Sequence, residues 1–215
     1  MGARIAVLVS GGGTNLQALL DDPAIAPSIM LVLSDRPAVR ALERAGERGV
    51  ETLVLEPSGS VDREAYTVAV RDALLARHVD LVVNAGYMRV LSRTFAEAFD
   101  GRWLNVHPAL LPAFPGAHAV ADALAWGVKV TGVTVHLVDE EIDHGPVVAQ
   151  EAIVVRDDDD WDSLEARVHE VEHRLLPAAV RWFCAGDLTL EAGRARLRNV
   201  GMPGDAALLS PPART

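Results

Sequence analysis

Short apolar runs alternate with longer segments of helical periodicity through the first half of the chain. Five runs have the character of buried strands: Arg4 to Val9, Ile29 to Leu33, Glu51 to Leu55, Leu81 to Asn84 and Trp103 to Val106. Four segments between them have helical spacing: Asn15 to Leu20, Ala38 to Arg48, Arg63 to Ala76 and Arg93 to Phe99. Repeated β-α-β units favour parallel strands, because each crossover helix returns the chain to the same end of the sheet. The alternation therefore predicts a Rossmann-like α/β fold, with a mostly parallel central sheet and helices on both faces.

The second half of the chain departs from this alternation. Val130 to Val138 and Pro146 to Val155 resemble strands on either side of an acidic turn, Asp139 to Gly145, which predicts a hairpin-like excursion. An amphipathic helix is predicted from about Ser163 to Phe183, and the aspartates before it are interpreted as its solvated start. We expect one domain over residues 1–185, with a phosphate-binding first half and a catalytic second half, and a ribbon and tail over residues 186–215.

Charge and composition restrict the partners. The chain has a formal net charge of −10, whereas affinity for a nucleic-acid backbone depends on clustered Lys and Arg, so no nucleic-acid partner is expected. No apolar run approaches the roughly 20 residues of a membrane span, and the start of the chain does not resemble a signal peptide. Cys184 is the single cysteine and cannot form an intrachain disulfide. We expect a cytoplasmic protein, a monomer or homodimer, with small-molecule ligands.

A glycine-rich segment follows the first predicted strand and leads into the first helix. It reads Ser10-Gly11-Gly12-Gly13-Thr14-Asn15. Glycines let the backbone approach a ligand closely, and a helix N-terminus offers free N–H groups to a phosphate. The segment is neither a GxGxxG fingerprint nor a Walker loop, because no Lys-Ser/Thr pair follows the glycines. It predicts a site for a small phosphate rather than for a dinucleotide.

A second chemical segment comes off the end of the fifth predicted strand. Asn105 and His107 are two residues apart in an extended chain, so their side chains project to the same side. Pro108 favours this extended geometry, and the prolines that follow predict a stiff loop. An amide donates to a carbonyl oxygen that gains negative charge, and an imidazole relays protons near neutral pH. The pair is suited to attack on a carbonyl.

The acidic turn could supply a carboxylate partner for His107. Four acids lie there, Asp139, Glu140, Glu141 and Asp143, and spacing does not choose among them. Two alternatives stay open at this point. The first is a metal-assisted hydrolase that uses His136, Asp139, Asp143 and His144, although no HExxH helix or cysteine pair supports it and His136 lies where a core histidine is commoner. The second is a phosphate-binding module without catalysis.

These segments resemble the folate-dependent formyltransferases, and within them the members that act on 5-phosphoribosylglycinamide. The resemblance runs from Arg4 to about Phe183 and includes VLVSGGGTNLQAL, DREAY, NAGYMRVLS, LNVHPALLPAFPG and GVKVTGVTVHLVDEEIDHGPVVAQ. It implies the three-layer formyltransferase fold. It also implies transfer of the formyl group of 10-formyltetrahydrofolate to the substrate amine, in purine biosynthesis, with no metal. Thr14 and His144 are departures from the residues common in this family.

The resemblance also implies roles for individual residues. It makes Asp143 the carboxylate partner and completes a catalytic group of Asn105, His107 and Asp143. Substrate-binding residues would be Gly11, Gly12, Gly13, Thr14, Asn15, His169, Glu170, Val171 and Glu172. Folate-binding residues would be Arg63, Met88, Arg89, Val90, Leu91, Asn105, Asp139, Glu140, Glu141, Ile142 and Asp143. Related formyltetrahydrofolate hydrolases and methionyl-tRNA formyltransferases are expected to need an additional domain, which the length of this chain does not favour.

Overall fold

The computed structural model describes residues 2–57 and 62–198. Its central sheet contains seven strands, which are β1 (Ile5–Val9), β2 (Ile29–Ser34), β3 (Glu51–Val54), β4 (Leu81–Asn84), β5 (Trp103–His107), β6 (Val130–Leu137) and β7 (Val147–Val154). The order across the sheet is β3-β2-β1-β4-β5-β6-β7. Strands β1 to β5 pair in parallel, and β6 and β7 are antiparallel. The predicted mostly parallel α/β fold and the late hairpin are both confirmed.

Six α-helices connect and cover these strands in the described ranges. They are α1 (Thr14–Asp21), α2 (Arg40–Glu47), α3 (Arg63–Leu75), α4 (Arg93–Ala98), α5 (Ala119–Trp126) and α6 (Trp161–Ala185), and a 3-10 turn spans Ala26–Ser28. The sequence analysis did not predict α5. Its sequence, AVADALAW, contains a single polar residue, so it lacks the amphipathic stripe by which a surface helix is recognised.

The helices cover both faces of the sheet, as expected. Along β1, Ile5, Val7 and Val9 point into one apolar layer, which α1, α2, α5 and α6 cover. Ala6 and Leu8 point into the opposite layer, against α3 and α4. Successive strand residues alternate between faces, so an uninterrupted apolar strand requires cover on both sides. The five residues of β1 are fully buried.

The longest helix, α6, begins where the aspartate run ends. The Asp160 side chain accepts a hydrogen bond from the Ser163 amide (2.9 Å), and the Ser163 hydroxyl accepts one from the Asp160 amide (3.1 Å). This reciprocal capping box agrees with the interpretation of the run as a helix start. Nowhere in the described ranges is a helix both long and apolar enough to cross a membrane.

A small ribbon follows α6. It consists of β8 (Leu188–Glu191) and β9 (Arg194–Leu197), which pair in antiparallel. The remainder of the predicted tail, residues 199–215, lies outside the described residues.

The sheet order determines where ligands can bind. The chain proceeds from β1 outward to β2 and β3 and then crosses to β4 on the other side of β1. Ligands of open α/β sheets bind at such a switch point, beyond the carboxyl ends of the strands. The glycine-rich loop after β1, the segment after β4 and the Asn105–His107 pair of β5 all lie at this edge.

Two matched glycine substitutions test the packing of the sheet. A Cβ at Gly132 in β6 would overlap the Glu151 carbonyl oxygen and approach Leu110 Cδ2 to 2.7 Å, whereas a Cβ at Gly46 in α2 would meet nothing within 4 Å. We expect Gly132→Ala to lower the free energy of unfolding by about 1–3 kcal/mol. Gly46→Ala should raise it by roughly 0.5–1 kcal/mol, because alanine is the better helix former. Equilibrium urea unfolding measures both, and a Gly132→Ala protein as stable as the parent would contradict the packing described.

Candidate active site

The glycine-rich loop forms the N-terminus of α1. Gly13 is the N-cap residue, with a left-handed φ of 71°, and a Cβ there would come within 2.6 Å of Ala41 Cβ. The carbonyls of Gly11 and Gly12 accept hydrogen bonds from the Ala41 amide (3.1 Å) and Arg44 Nε (2.9 Å). No side chain caps the helix, so its first N–H groups face outward without a side-chain partner. This arrangement suits an anion such as a phosphate.

Asn15, in the first turn of α1, connects the loop to α6. Its Nδ2 donates to Glu172 Oε2 (2.9 Å), and both residues are buried. His169 Nε2 lies 3.9 Å from the same carboxylate oxygen. Burial raises the pKa of Glu172 and outweighs the Asn15 hydrogen bond, which lowers it. A buried acid therefore lies beside the predicted phosphate loop.

A cavity of about 380 Å³ lies beyond the ends of β4 and β5. Three segments line it: residues 86–91 after β4, residues 105–108 at the end of β5, and residues 138–143 in the acidic turn. Its rim contains the exposed apolar side chains of Met88, Val90 and Ile142. Concave, mostly apolar sites with a few converging polar groups are typical of small-molecule binding.

The polar groups at the cavity floor come from β5 and β6. Asn105 pairs directly with His136 across the two strands, and His107 pairs with Thr134. Asn105 Nδ2 lies 3.1 Å from His136 Nε2. His136 Nδ1 contacts the Leu137 carbonyl (2.9 Å), and a carbonyl can only accept, so Nδ1 carries the proton and Nε2 accepts from the amide. His136 thereby orients the Asn105 side chain.

His107, the last residue of β5, is also buried. Its Nε2 lies 2.8 Å from the Phe114 carbonyl oxygen, so Nε2–H donates. Its Nδ1 lies 3.4 Å from Asp143 Oδ2. Burial lowers the pKa of His107 and outweighs the Asp143 charge and the Phe114 carbonyl, which raise it. The imidazole is therefore neutral near neutral pH, and Nδ1 is available to accept a proton.

Asp143 contacts Asn105, His107 and His136 at the cavity floor. Its Oδ2 accepts from the Gly116 amide (2.7 Å), and its Oδ1 accepts from Asn105 Nδ2 (3.4 Å). Burial raises its pKa, but the hydrogen bonds that it accepts, the one from the Gly116 amide among them, outweigh burial and hold the pKa below its ordinary value. Asp143 is thus a carboxylate throughout the neutral range.

The loop after β5 is tied to β6 and β7 as well as stiffened by prolines. The Thr134 hydroxyl donates to the Ala109 carbonyl (2.7 Å) and accepts from the Leu111 amide (3.0 Å). Gln150 Nε2 donates to the Leu111 carbonyl and to the Thr134 hydroxyl, each at 2.9 Å. These bonds place the Phe114 carbonyl and Gly116 amide against the site.

Two residues of the site adopt the left-handed backbone region. Phe114 has φ 51° and Asp143 has φ 52°. Such conformations cost energy for residues other than glycine and persist where surrounding contacts impose them. Each of these residues supplies one contact to His107, through a carbonyl and a carboxylate respectively.

Two of the other acids of the turn, Asp139 and Glu140, have side-chain partners at the surface. Asp139 Oδ2 lies 2.9 Å from His144 Nδ1, and its Oδ1 accepts from the Glu141 amide. Glu140 lies 3.4 Å from Arg93. Of the four candidate acids, Asp143 is the one in contact with His107. In the described ranges, no group of three His, Cys, Asp or Glu side chains has a geometry that could hold a metal ion.

The structure distributes the predicted ligand-binding residues unevenly. All the predicted folate-binding residues except Arg63 line the cavity, while Arg63 is exposed at the start of α3. Of the predicted substrate-binding residues on α6, His169 and Glu172 approach Asn15, whereas Val171 is buried in the core and Glu170 is exposed.

Sequence reasoning missed the part that His136 has in the site. The sequence pattern indicates a core histidine, with a metal ligand as the alternative, and its 1% exposure agrees with a buried position. Its pairing with Asn105 depends on the register between β5 and β6, which the sequence pattern alone did not specify. Thr134 and Gln150 were missed for the same reason.

Known proteins are similar to this chain in both sequence and structure. Residues 3–180 match the family described as formyl transferase. The chain belongs to the formyl transferase family. The matched region contains the glycine-rich loop, the cavity residues and Glu172, so every site described above lies within the part of the chain that the family shares.

Several members of the formyl transferase family are similar along nearly the whole chain. A Mycobacterium tuberculosis protein named phosphoribosylglycinamide formyltransferase is 48% identical over 190 residues, which cover 87% of this chain and 88% of that protein. The crystal structure of glycinamide ribonucleotide transformylase 1 from Symbiobacterium toebii superposes with a TM-score of 0.88 at 43% identity, covering 92% of this chain and 95% of that one. The trifunctional purine biosynthetic protein adenosine-3 of Drosophila melanogaster is 44% identical, and the match covers 85% of this chain but 14% of that larger protein.

The contact between Asp143 and His107 in this formyl transferase can be tested by titration. Asp143→Asn removes a charge that raises the His107 pKa, so we expect that pKa, already lowered by burial, to fall further. His144 serves as an internal control. The hydrogen bond that His144 donates to Asp139, together with the charge of that acid, raises the His144 pKa, which should fall in Asp139→Asn and stay unchanged in Asp143→Asn. NMR titration of the ring protons measures both, and an unchanged or higher His107 pKa in Asp143→Asn would refute the contact.

Proposed function

We propose that the protein transfers the formyl group of 10-formyltetrahydrofolate to the amine of 5-phosphoribosylglycinamide, giving formylglycinamide ribonucleotide and tetrahydrofolate. The observation that carries this proposal is the group of Asn105, His107 and Asp143 at the floor of an apolar-rimmed cavity, at the same sheet edge as the glycine-rich loop. The names of the similar proteins support the same acceptor. The reaction belongs to purine biosynthesis, and we assign it to the cytoplasm.

Binding of the ribonucleotide would use the first turn of α1. Its phosphate would accept hydrogen bonds from backbone N–H groups of the glycine-rich loop, as an anion does at a helix N-terminus. Glu172, held by Asn15, is a buried acceptor for polar hydrogens of the same substrate. The folate would occupy the cavity, with its flat pterin between the wall after β4 and the acidic turn. The two substrates thus approach Asn105 and His107 from neighbouring strand ends.

The chemical step begins when the substrate amine attacks the formyl carbon. A C–N bond forms, and the formyl oxygen gains negative charge in a tetrahedral intermediate. The Asn105 amide donates to this oxygen. Its longer bond, 3.4 Å to Asp143, is the one that yields, while the 3.1 Å bond to His136 keeps the amide oriented.

Proton transfer completes the step. His107 Nε2 keeps its proton because the Phe114 carbonyl binds it, so Nδ1 takes the proton that the attacking amine loses. The imidazolium that results is stabilised by the Asp143 carboxylate 3.4 Å away. Nδ1 then returns the proton to the folate nitrogen as the bond between that nitrogen and the formyl carbon breaks. Every atom is accounted for without another reactant.

The proposal is tested by measuring both products of one reaction. Chelator-treated protein is mixed with 5-phosphoribosylglycinamide and 10-formyltetrahydrofolate, and the formylated ribonucleotide and released tetrahydrofolate are both measured. We expect equal yields. Asn105→Ala and His107→Ala should each lower kcat/KM by about 10² to 10⁴-fold, the range for loss of an oxyanion donor or a general acid-base group.

The alternative outcomes identify different errors. Release of tetrahydrofolate without formylated ribonucleotide would mean hydrolysis or another acceptor. Absence of any reaction would favour a metal-dependent enzyme or a binding module. A folded His107→Ala protein of full activity would remove His107 from the mechanism. Circular dichroism of each variant verifies that it is folded.

A further inference from the structure

Asp35 is a buried acid that the proposed mechanism does not use. It follows β2 at the ligand-binding edge of the sheet, and its side chain has no exposed surface. Its Oδ1 is buried without a hydrogen-bond partner among the described residues. Burying a carboxylate costs free energy unless ion pairs and hydrogen bonds compensate for the lost hydration. Only Oδ2 of Asp35 has such compensation, so the position of this acid needs an explanation other than stability.

The partner of Asp35 is an arginine of the cavity wall. Arg89 Nε donates to Asp35 Oδ2 over 2.8 Å, and the Arg89 side chain is 43% exposed. Arg36 is a weaker neighbour, 3.7 Å from the same oxygen and 56% exposed. Within the described part of the chain, the Nη groups of Arg89 form no hydrogen bond to protein. The carboxylate thus fixes one edge of the guanidinium and leaves the other edge for a ligand.

The segment that carries Arg89 is anchored at two further points. The Ser10 amide donates to the Gly86 carbonyl (3.1 Å), and the Met88 amide donates to the Ser10 hydroxyl (2.9 Å). These bonds fix the backbone of the segment against the end of β1. They do not reach the long Arg89 side chain, so the hydrogen bond to Asp35 is the contact that orients it.

The charged residues that line the cavity indicate which ligand group the oriented Arg89 side chain can bind. Among the described residues that line the cavity, Arg89 is the one Lys or Arg, whereas the acidic turn contributes Asp139, Glu140, Glu141 and Asp143. An anionic group inside the cavity therefore finds its favourable partner in Arg89. 10-Formyltetrahydrofolate carries such groups, because its tail ends in a glutamate with two carboxylates.

We propose that Asp35 is a positioning residue for the folate co-substrate, which holds Arg89 so that its free Nη edge binds a glutamate carboxylate of the folate tail. This inference rests on the proposed function. Guanidinium groups bind carboxylates through paired N–H donors in a fixed plane, so the orientation of that plane governs binding. An arginine already ordered by Asp35 loses less conformational entropy when the ligand arrives.

Asp35 also repels an incoming carboxylate, and the two effects have opposite signs. The repulsion acts across the width of the guanidinium and through a mouth open to solvent, where a high dielectric constant and salt weaken it. The hydrogen bond that Arg89 Nε donates to Asp35 is not weakened in this way, because it is short and Asp35 is buried. Orientation therefore dominates, and removal of Asp35 weakens folate binding.

Steady-state kinetics of the full chain provide the test. Asp35→Ala should raise KM for 10-formyltetrahydrofolate about tenfold, the change expected for loss of a charge-assisted hydrogen bond. Its kcat and its KM for 5-phosphoribosylglycinamide should stay near those of the parent. Asp35→Asn should recover most of the affinity, because the amide oxygen still accepts from Arg89 Nε. Arg36→Ala is the matched control and should leave KM unchanged.

A modified co-substrate separates positioning from a purely structural role. When the two glutamate carboxylates are converted to amides, Asp35→Ala and the parent should have equal KM values. Arg89→Lys provides a second variant in case Asp35→Ala does not fold, since it keeps the charge, lacks Nε–H and should raise KM similarly for the unmodified folate alone.

Two results would overturn the inference while leaving the proposed function intact. One is a folded Asp35→Ala or Arg89→Lys protein whose KM for 10-formyltetrahydrofolate is unchanged, measured beside a parent protein that turns over normally. The other is an equal rise in KM for the natural and amidated folates. If the parent itself forms no formylated ribonucleotide, the proposed function fails first and this inference fails with it.

Discussion

The Asp143 carboxylate joins separate segments of the site. It accepts from the Gly116 amide in the loop after β5, accepts from Asn105 in β5, and lies 3.4 Å from His107. Asp143 itself belongs to the turn between β6 and β7. Burial alone would favour its neutral form, but the hydrogen bonds that it accepts keep it charged. The charge of this largely buried side chain thus holds three separate segments in one geometry, and the proposed chemistry depends on that geometry.

Much of the architecture could be predicted because local rules specify it. Apolar runs buried on both faces imply a sheet covered twice, and the alternation with helices implies parallel pairing. The same rules place the glycine-rich loop and Asn105 at one edge, since carboxyl ends of parallel strands coincide. The two-residue spacing of Asn105 and His107 was sufficient to predict a shared direction. In the structure, the two side chains meet through Asp143.

The remainder depended on properties that short sequence patterns do not contain. Helix α5 is apolar almost throughout, so periodicity could not reveal it. His136 enters the site through strand register, which is a non-local property. The choice among four acids was left open by spacing; family resemblance indicated Asp143, and in the structure a left-handed backbone turns that residue inward. Asp35 gave no signal at all, because a single acid after a strand is ordinary until its partner is known.

The hydrogen bond between Asn15 and Glu172 connects residues that are 157 positions apart. A contact of this separation closes late, since a long loop must be ordered before the contact forms. During synthesis, which proceeds from the N-terminus, the phosphate loop emerges well before the acid that completes its surroundings. A nascent or truncated chain that ends before α6 therefore lacks half of the proposed acceptor site, even if its parallel strands have paired. Ligand binding by this protein would accordingly report that the chain has been made and folded as far as α6.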